Sequence, residues 1–225
     1  MLPPVAERYV LKDFPHSSHR TLVSWVGQDP ARILDVGAAR GFLGELLGQV
    51  GHTVVGIERD PEAARLAAPH YAALHVADAQ HLGDIPEAPF DVIVAGDVLE
   101  HLAEPLAALR DLVGMLAPGG RVIVTVPNVA FLAIRVGLAC GRFDYRPRGI
   151  LDGTHLRFFT WRSLHRLCVD AGLRVVRMSG IPPPLPLVHP RFARWPLRAL
   201  LEAAAIAARL WPTLFAYQLA AEAVR

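Results

Sequence analysis

The stretch Ile33-Leu34-Asp35-Val36-Gly37-Ala38-Ala39-Arg40-Gly41-Phe42-Leu43-Gly44 constrains the fold of this chain more than any other. A short apolar run carrying one acid passes straight into a loop of spaced glycines, and a helix-forming segment follows. A strand, a glycine-rich turn and a helix N-terminus in this order are the unit from which doubly wound α/β sheets build nucleotide-cofactor pockets. The glycine spacing decides which pocket. A dinucleotide loop places glycine at its first, third and sixth positions. Here the third is Ala39 and the sixth is Phe42, while Gly41 and Gly44 fall elsewhere, so a nicotinamide cofactor is disfavoured.

The alternation continues along the chain. Apolar runs predict strands over 33–36, 53–57, 73–77, 91–95, 121–126 and 173–178, and helical patterns lie between them over 42–50, 61–68, 105–116 and 162–171. Pro61 suits a first helical turn. Pro118-Gly119-Gly120 and Gly172 are stop signals. Strands and helices alternating at this spacing imply right-handed βαβ units and a parallel sheet. Residues 1–30 read as a helical preamble, 181–186 as a stiff proline-rich linker, 197–210 as a helix and 214–224 as a final strand. With 225 residues, 52% of them apolar, one domain with a full core over 1–225 is expected.

Charge and cysteine usage narrow the class. A formal charge of +2 argues against nucleic-acid binding by phosphate neutralisation. Cys140 and Cys168 lie far apart without metal-type spacing and read as reduced thiols of a cytoplasmic protein. The first residues lack the basic-then-apolar order of a signal peptide. The late apolar stretch is broken by Arg198, Glu202, Arg209 and Pro212, which makes it a poor membrane span. Residues 190–212, with Trp195, Trp211 and several arginines, leave three readings open: packing on the sheet edge, a homodimer contact, or peripheral contact with a membrane surface.

Acids stand where the expected strands end, the edge of an α/β sheet that faces a ligand crevice. Glu58 follows the second strand, where a carboxylate can accept hydrogen bonds from both hydroxyls of a ribose; the alternative is a solvated acid in the charged run Glu58-Arg59-Asp60. Asp97-Val98-Leu99-Glu100-His101 follows the fourth strand. If this segment is helical, Asp97, Glu100 and His101 share one face at i, i+3 and i+4. Three roles then stand side by side. His101 is a general base, or the trio holds a divalent cation, or these residues only close a pocket and cap a helix.

The pattern Asp35-x-Gly37-x-Ala39-x-Gly41 resembles motif I of the class I S-adenosylmethionine (SAM) methyltransferases. The resemblance implies a Rossmann-like α/β fold with helices on both faces of a seven-stranded, mostly parallel sheet. The last strand slots in antiparallel between strands five and six. The loop backbone then passes under the methionine part of SAM, and Gly37, Ala39 and Gly41 permit the approach. The same resemblance makes Asp35 the acid that orders the loop and attracts the cofactor's ammonium. Glu58, with Arg59 beside it, takes the ribose, Asp78 with Ala79 receives the adenine amino group, and Asp97 completes the pocket. Some quinone-pathway O-methyltransferases carry a Glu-x-x-Glu-His pattern for a divalent cation that orients the acceptor oxygen. The Asp97 segment is similar, with a shorter first acid.

A second stretch, Gly149-Ile150-Leu151-Asp152-Gly153-Thr154-His155-Leu156-Arg157-Phe158-Phe159-Thr160, mixes Asp, His and Arg with paired aromatics inside a long connection over 128–160. Long loops in compact domains tend to be lids or binding surfaces. With Pro127-Asn128-Val129 and Gly141-Arg142-Phe143, this stretch resembles a bacterial branch of class I methyltransferases. Its members accompany glycan and cell-surface polysaccharide pathways, and the branch is related to ubiquinone O-methyltransferases and to a methionine-biosynthesis protein family. His155 is the second candidate base. Tyr145, Asp152 and Arg157 are candidate acceptor contacts, with Arg157 gripping an acidic group, pairing with Asp152 or packing over Phe158. The other histidines show no ligand spacing. The expected reaction is O-methylation of a sugar, lipid-linked glycan or small aromatic. The rival is a SAM-binding regulatory or partner subunit without catalysis of its own.

Overall fold

A computed structural model describes residues 12–83, 85–189 and 197–225. Seven strands form one sheet: β1 (Arg32–Val36), β2 (Thr53–Glu58), β3 (Ala73–Val76), β4 (Phe90–Gly96), β5 (Leu116–Pro127), β6 (Arg174–Ile181) and β7 (Gln218–Val224). Their order is β3-β2-β1-β4-β5-β7-β6. All pairings are parallel except those of β7, which runs antiparallel to both β5 and β6. The architecture expected from the loop pattern is the one observed.

The sheet is covered on both faces, so its central strands read as unbroken apolar runs. Leu34 and Val36 point to one side, where Leu109 and Leu112 of α4 (Pro105–Gly114) and Leu164 and Cys168 of α6 (Trp161–Asp170) close the core. Ile33 points to the other, against Leu22 and Val26 of α1 (Ser18–Val26) and Leu43 and Leu47 of α2 (Phe42–Val50). Local chemistry sets the helix starts. Ser17 caps α1 by accepting from Arg20 N. Asp60 accepts from Glu62 N and Ala63 N ahead of α3 (Pro61–Ala67). Thr160 and Ser163 form a capping box on α6.

Four local expectations are corrected. The helix expected over 105–116 ends at Gly114, because Leu116 already pairs with Phe90 in the sheet. The expected linker over 181–186 is shared between β6, which ends at Ile181, and a short helix α7 (Leu185–Val188). The expected strand over 214–224 begins only at Gln218, because Pro212–Phe215 forms a helical turn, α9. Asp97 to His101 is helical only over the 3₁₀ turn Leu99–His101. Between β5 and α6 lies α5 (Leu132–Ala139) and the connection that ends at Thr160. Of the segment 190–212, Trp195, Arg191 and Arg194 fall outside the described residues. The helix α8 (Arg198–Leu210) buries Leu201, Ala205 and Ala208 and lies against β6. Among the described residues no helix is long and apolar enough to cross a membrane.

Candidate active site

β1 and β4 end side by side, with Val36 paired to Ala95, at the sheet edge where ligands of doubly wound α/β folds bind. Past Val36 the chain takes positive φ at Gly37 (81°), Ala39 (47°) and Gly41 (84°) before α2 begins. Gly37 N and Ala38 N both donate to Ile57 O, at 2.8 and 2.9 Å, so the loop is stitched to β2. A Cβ at Gly37 would sit 2.6 Å from Val98 Cγ2, which fixes glycine there for a second reason. Glu58, buried at the end of β2, accepts from Ala39 N (2.8 Å) and Asp60 N (2.9 Å). Loop and carboxylate are one hydrogen-bonded unit.

Asp35 lies inside β1, 2% exposed, and its carboxylate accepts from the Tyr71 hydroxyl at 2.6 Å. The Tyr71 ring fills the space a side chain on Gly44 would need. Burial pushes the Asp35 carboxyl up to about 7; the Tyr71 hydrogen bond opposes the rise and the charge of Glu58 adds to it. The register Glu58↔Val76 between β2 and β3 sets Asp78 just beyond Glu58. Asp78 is exposed and accepts from Gln80 N at 2.9 Å. Arg59 is exposed, and Ala79 packs against the core edge.

The end of β4 separates the acids that the pattern groups together. Asp97 adopts φ 58°, uncommon for a residue other than glycine. It accepts from Lys12 Nζ (2.8 Å), Thr125 Oγ1 (3.0 Å) and Gln218 Nε2 (2.6 and 2.7 Å). Burial opposes ionisation, but these donors hold its carboxyl below the usual range. Glu100 is 1% exposed, and neither carboxylate oxygen has a hydrogen-bond partner among the described residues. Burial, and next the charge of Asp97, push it well above the usual carboxylate range. A trio of Asp97, Glu100 and His101 on one helical face is therefore not formed. The group that converges is Glu100, His101 and His155, whose ligand atoms all lie within 4.8 Å of one another.

The connection over 128–160 brings His155 there. Leu156 N and Arg157 N donate to Glu100 O (2.8 and 3.0 Å), so this connection is laced to the 3₁₀ turn. The His101 and His155 rings meet edge-on with centroids 4.9 Å apart. His101 Nδ1 donates to Thr154 O (3.2 Å) and His155 Nδ1 to Ile150 O (3.0 Å). A carbonyl can only accept, so each Nδ1 carries a proton, and the neutral form of each ring has its lone pair on Nε2. Both imidazoles are thus presented as bases or metal ligands.

The remaining candidate residues of this connection divide. Asp152 accepts from Thr154 N (2.8 Å) and Thr154 Oγ1 (2.7 Å) and shapes the turn that carries His155. Arg157 pairs neither with Asp152 nor over Phe158; it donates to Ala103 O at 2.8 Å and lies 3.4 Å from Glu104. Tyr145, 59% exposed, stands 5.8 Å from Phe143 and 6.5 Å from Phe158, which in turn lies 6.4 Å from His155. Sequence reasoning missed Lys12 and Tyr71. Tyr71 has no local signature. Lys12 had one, as the only lysine in the chain.

A family model described as a methyltransferase domain matches residues 10–178. A ubiquinone biosynthesis O-methyltransferase from Parvibaculum lavamentivorans is 29% identical over 158 residues, 67% of this chain and 61% of that protein. The chain thus spans about three fifths of that relative's length. A protein of the same name from Xylella fastidiosa is 31% identical over 214 residues, covering 89% of this chain and 75% of its own length. Among solved structures, a magnesium protoporphyrin IX methyltransferase from Synechocystis, with bound S-adenosylhomocysteine (SAH), superposes with a TM-score of 0.61 at 17% identity, over 93% of this chain and 82% of that one.

Proposed function

The chain belongs to the methyltransferase-domain family, and we propose that it is a SAM-dependent O-methyltransferase acting on a hydroxyl of a small-molecule acceptor. The loop from Gly37 to Gly41 takes the methionine part of SAM. Glu58 receives the ribose and Asp78 the adenine amino group. Asp35 answers the cofactor's ammonium. Methyl transfer from a sulfonium releases a neutral thioether, so the leaving group needs no acid. What remains is to align the acceptor, exclude water and take one proton.

One observation carries the choice of oxygen as acceptor atom. Two imidazoles, both with Nδ1 tied to lid carbonyls, offer Nε2 lone pairs beside the end of β4. Such a pair suits a hydroxyl, whose proton has to leave as the methyl arrives. Of the expected classes, a small aromatic is favoured over a sugar or lipid-linked glycan. Phe143, Tyr145 and Phe158 form an aromatic wall that leads to His155, and the curated relatives are named for ubiquinone biosynthesis.

Glu100 favours a second reading of the same centre. A fully buried carboxylate without a donor, next to two imidazole lone pairs, is a donor set that suits a divalent cation. Such an ion would polarise the acceptor hydroxyl. In that reading Glu100, His101 and His155 hold it, and Asp97 does not.

Methyl-labelled SAM incubated with the protein and native extract metabolites, followed by mass spectrometry, tests the function. The expected result is one hydroxylated aromatic gaining a single methyl. If no compound gains label while SAH still binds, the chain is a cofactor-binding partner subunit and the reading fails. Label persisting in chelator assigns the bases alone; label lost in chelator and restored by a divalent ion assigns the metal. Replacing Glu58 with Ala is expected to weaken SAH binding by about 1–3 kcal/mol, the scale for losing a charged hydrogen-bond partner. Unchanged affinity by calorimetry would remove Glu58 from the ribose site.

A further inference from the structure

Lys12 is the only lysine among 23 lysine and arginine residues. It lies ahead of α1, yet its ammonium crosses 85 residues of sequence to reach Asp97. Its approach is fixed locally. Nζ also donates to Ser18 Oγ at 3.3 Å, and the backbone N–H of Lys12 donates to His19 Nδ1 at 3.1 Å. Glu100, Tyr217 and His19 also interact electrostatically with this ammonium.

The Asp97 carboxylate is saturated. Oδ1 accepts from Thr125 and Gln218, and Oδ2 accepts from Gln218 and Lys12. The three donor residues come from three separate parts of the fold: the segment before α1, β5 and β7. Convergence of that kind is what holds a non-glycine residue at positive φ, a strained backbone conformation unless its surroundings enforce it. The next residue, Val98, presses on Gly37. Only one peptide therefore separates the ion pair from the glycine loop. The head group also matters. A compact ammonium fits a site with one carboxylate oxygen and one hydroxyl, whereas the wide guanidinium fork of arginine needs several acceptors in one plane.

We infer that Lys12 is a positioning residue of the cofactor crevice, the built-in counter-cation that holds the Asp97 carboxylate, and through Val98 the Gly37 loop, in binding geometry. The inference rests on the reading that SAM lies in this crevice. Taking away one member of this half-buried ion pair leaves the other uncompensated, and Asp97 then either takes up a proton or swings toward solvent. Both outcomes disturb the wall against which the methionine part of the cofactor would rest.

A double-mutant cycle on the full chain, read by calorimetric titration with SAH, tests this. Lys12→Met and Asp97→Asn are each expected to weaken SAH binding about tenfold or more. The double variant is expected to bind within twofold of Asp97→Asn alone, because on this inference the lysine acts on the cofactor only through Asp97. The unique lysine supplies a readout that a purely structural role would leave still. In protein labelled with ¹⁵N-lysine, the single ammonium signal should move on SAH addition in wild type and not in Asp97→Asn. If Lys12→Met does not fold, the double variant, with neither charge, is expected to fold and carries the test with the lysine signal. Unchanged affinity in Lys12→Met, additive losses in the cycle, or a lysine signal indifferent to SAH would overturn the inference. Wild-type protein that does not bind SAH would instead remove the crevice reading, and this inference with it.

Discussion

Replacing Asp35 with asparagine is expected to stabilise the cofactor-free protein above neutral pH and, at the same time, to loosen its hold on SAH. Asp35 is buried with one donor, the Tyr71 hydroxyl, and burial lifts its carboxyl from 3.8 to about 7. In the unfolded chain the group ionises at the lower value. Between the two, the folded state keeps a proton that the unfolded state has lost, so stability falls as pH rises from about 4 to about 7. At about 1.4 kcal/mol for each pH unit, the loss reaches on the order of 4 kcal/mol and is complete above neutrality. Asparagine accepts the same Tyr71 hydrogen bond without a charge. Its melting temperature should exceed that of wild type by several degrees at pH 8, at about 2–4 °C per kcal/mol for a chain this size, with little or no advantage at pH 4. The cofactor's ammonium reverses the preference, because it stabilises the ionised acid. SAH affinity of wild type should rise with pH through about 7, and that rise should vanish in Asp35→Asn. An equal melting shift at pH 4 and pH 8 would show that the buried charge is not the cause. On the proposed role, the acid is the kind of residue kept for function at a cost to stability.

The second large effect concerns the two imidazoles. His101 is held below the ordinary histidine range, first by burial and then by His155. It is therefore mainly neutral at pH 7, the form that the proposed base requires. Replacing His101 with Gln is expected to lower turnover of the labelled acceptor about a hundredfold, the lower end of what a positioned base contributes. Replacing His155 should cost less than about tenfold, through loss of the edge-on contact that orients His101. SAH affinity should change little in either variant, which separates chemistry from cofactor binding. The reverse ranking would transfer the base to His155. Full turnover in both variants would leave the centre without a base.

The sheet was legible because its strands are buried on both faces and so announce themselves as short apolar runs, 33–36 and 53–57 most clearly. Glycine spacing around Gly37 pointed to the loop, since only small residues tolerate that backbone. What stayed hidden was set at a distance. Asp97, Glu100 and His101 suggest one helical face only if the backbone is helical from Asp97 onward. A left-handed residue at Asp97 turns its carboxylate to Lys12, Thr125 and Gln218 instead. The residue that joins Glu100 and His101 is His155, more than fifty positions later. Nothing local marks that meeting. The misplaced start of the last strand has a nearer cause. The apolar letters at Leu214 and Phe215 suit a strand, but Pro212 opens a helical turn that Ala216 N closes onto Pro212 O.

The insertion of β7 between β5 and β6 has a consequence for how the molecule is made. Order along the polypeptide differs from order across the sheet, so both flanking strands leave the ribosome with an edge that only later residues can cover. Until those residues emerge, two rows of unpaired amides and carbonyls are open to partners from other chains. The same late segment brings Gln218 to Asp97, a pairing spanning 121 positions. A nascent or nicked protein missing that segment would therefore lose a wall of the crevice and gain a tendency to aggregate, both from the absence of one strand.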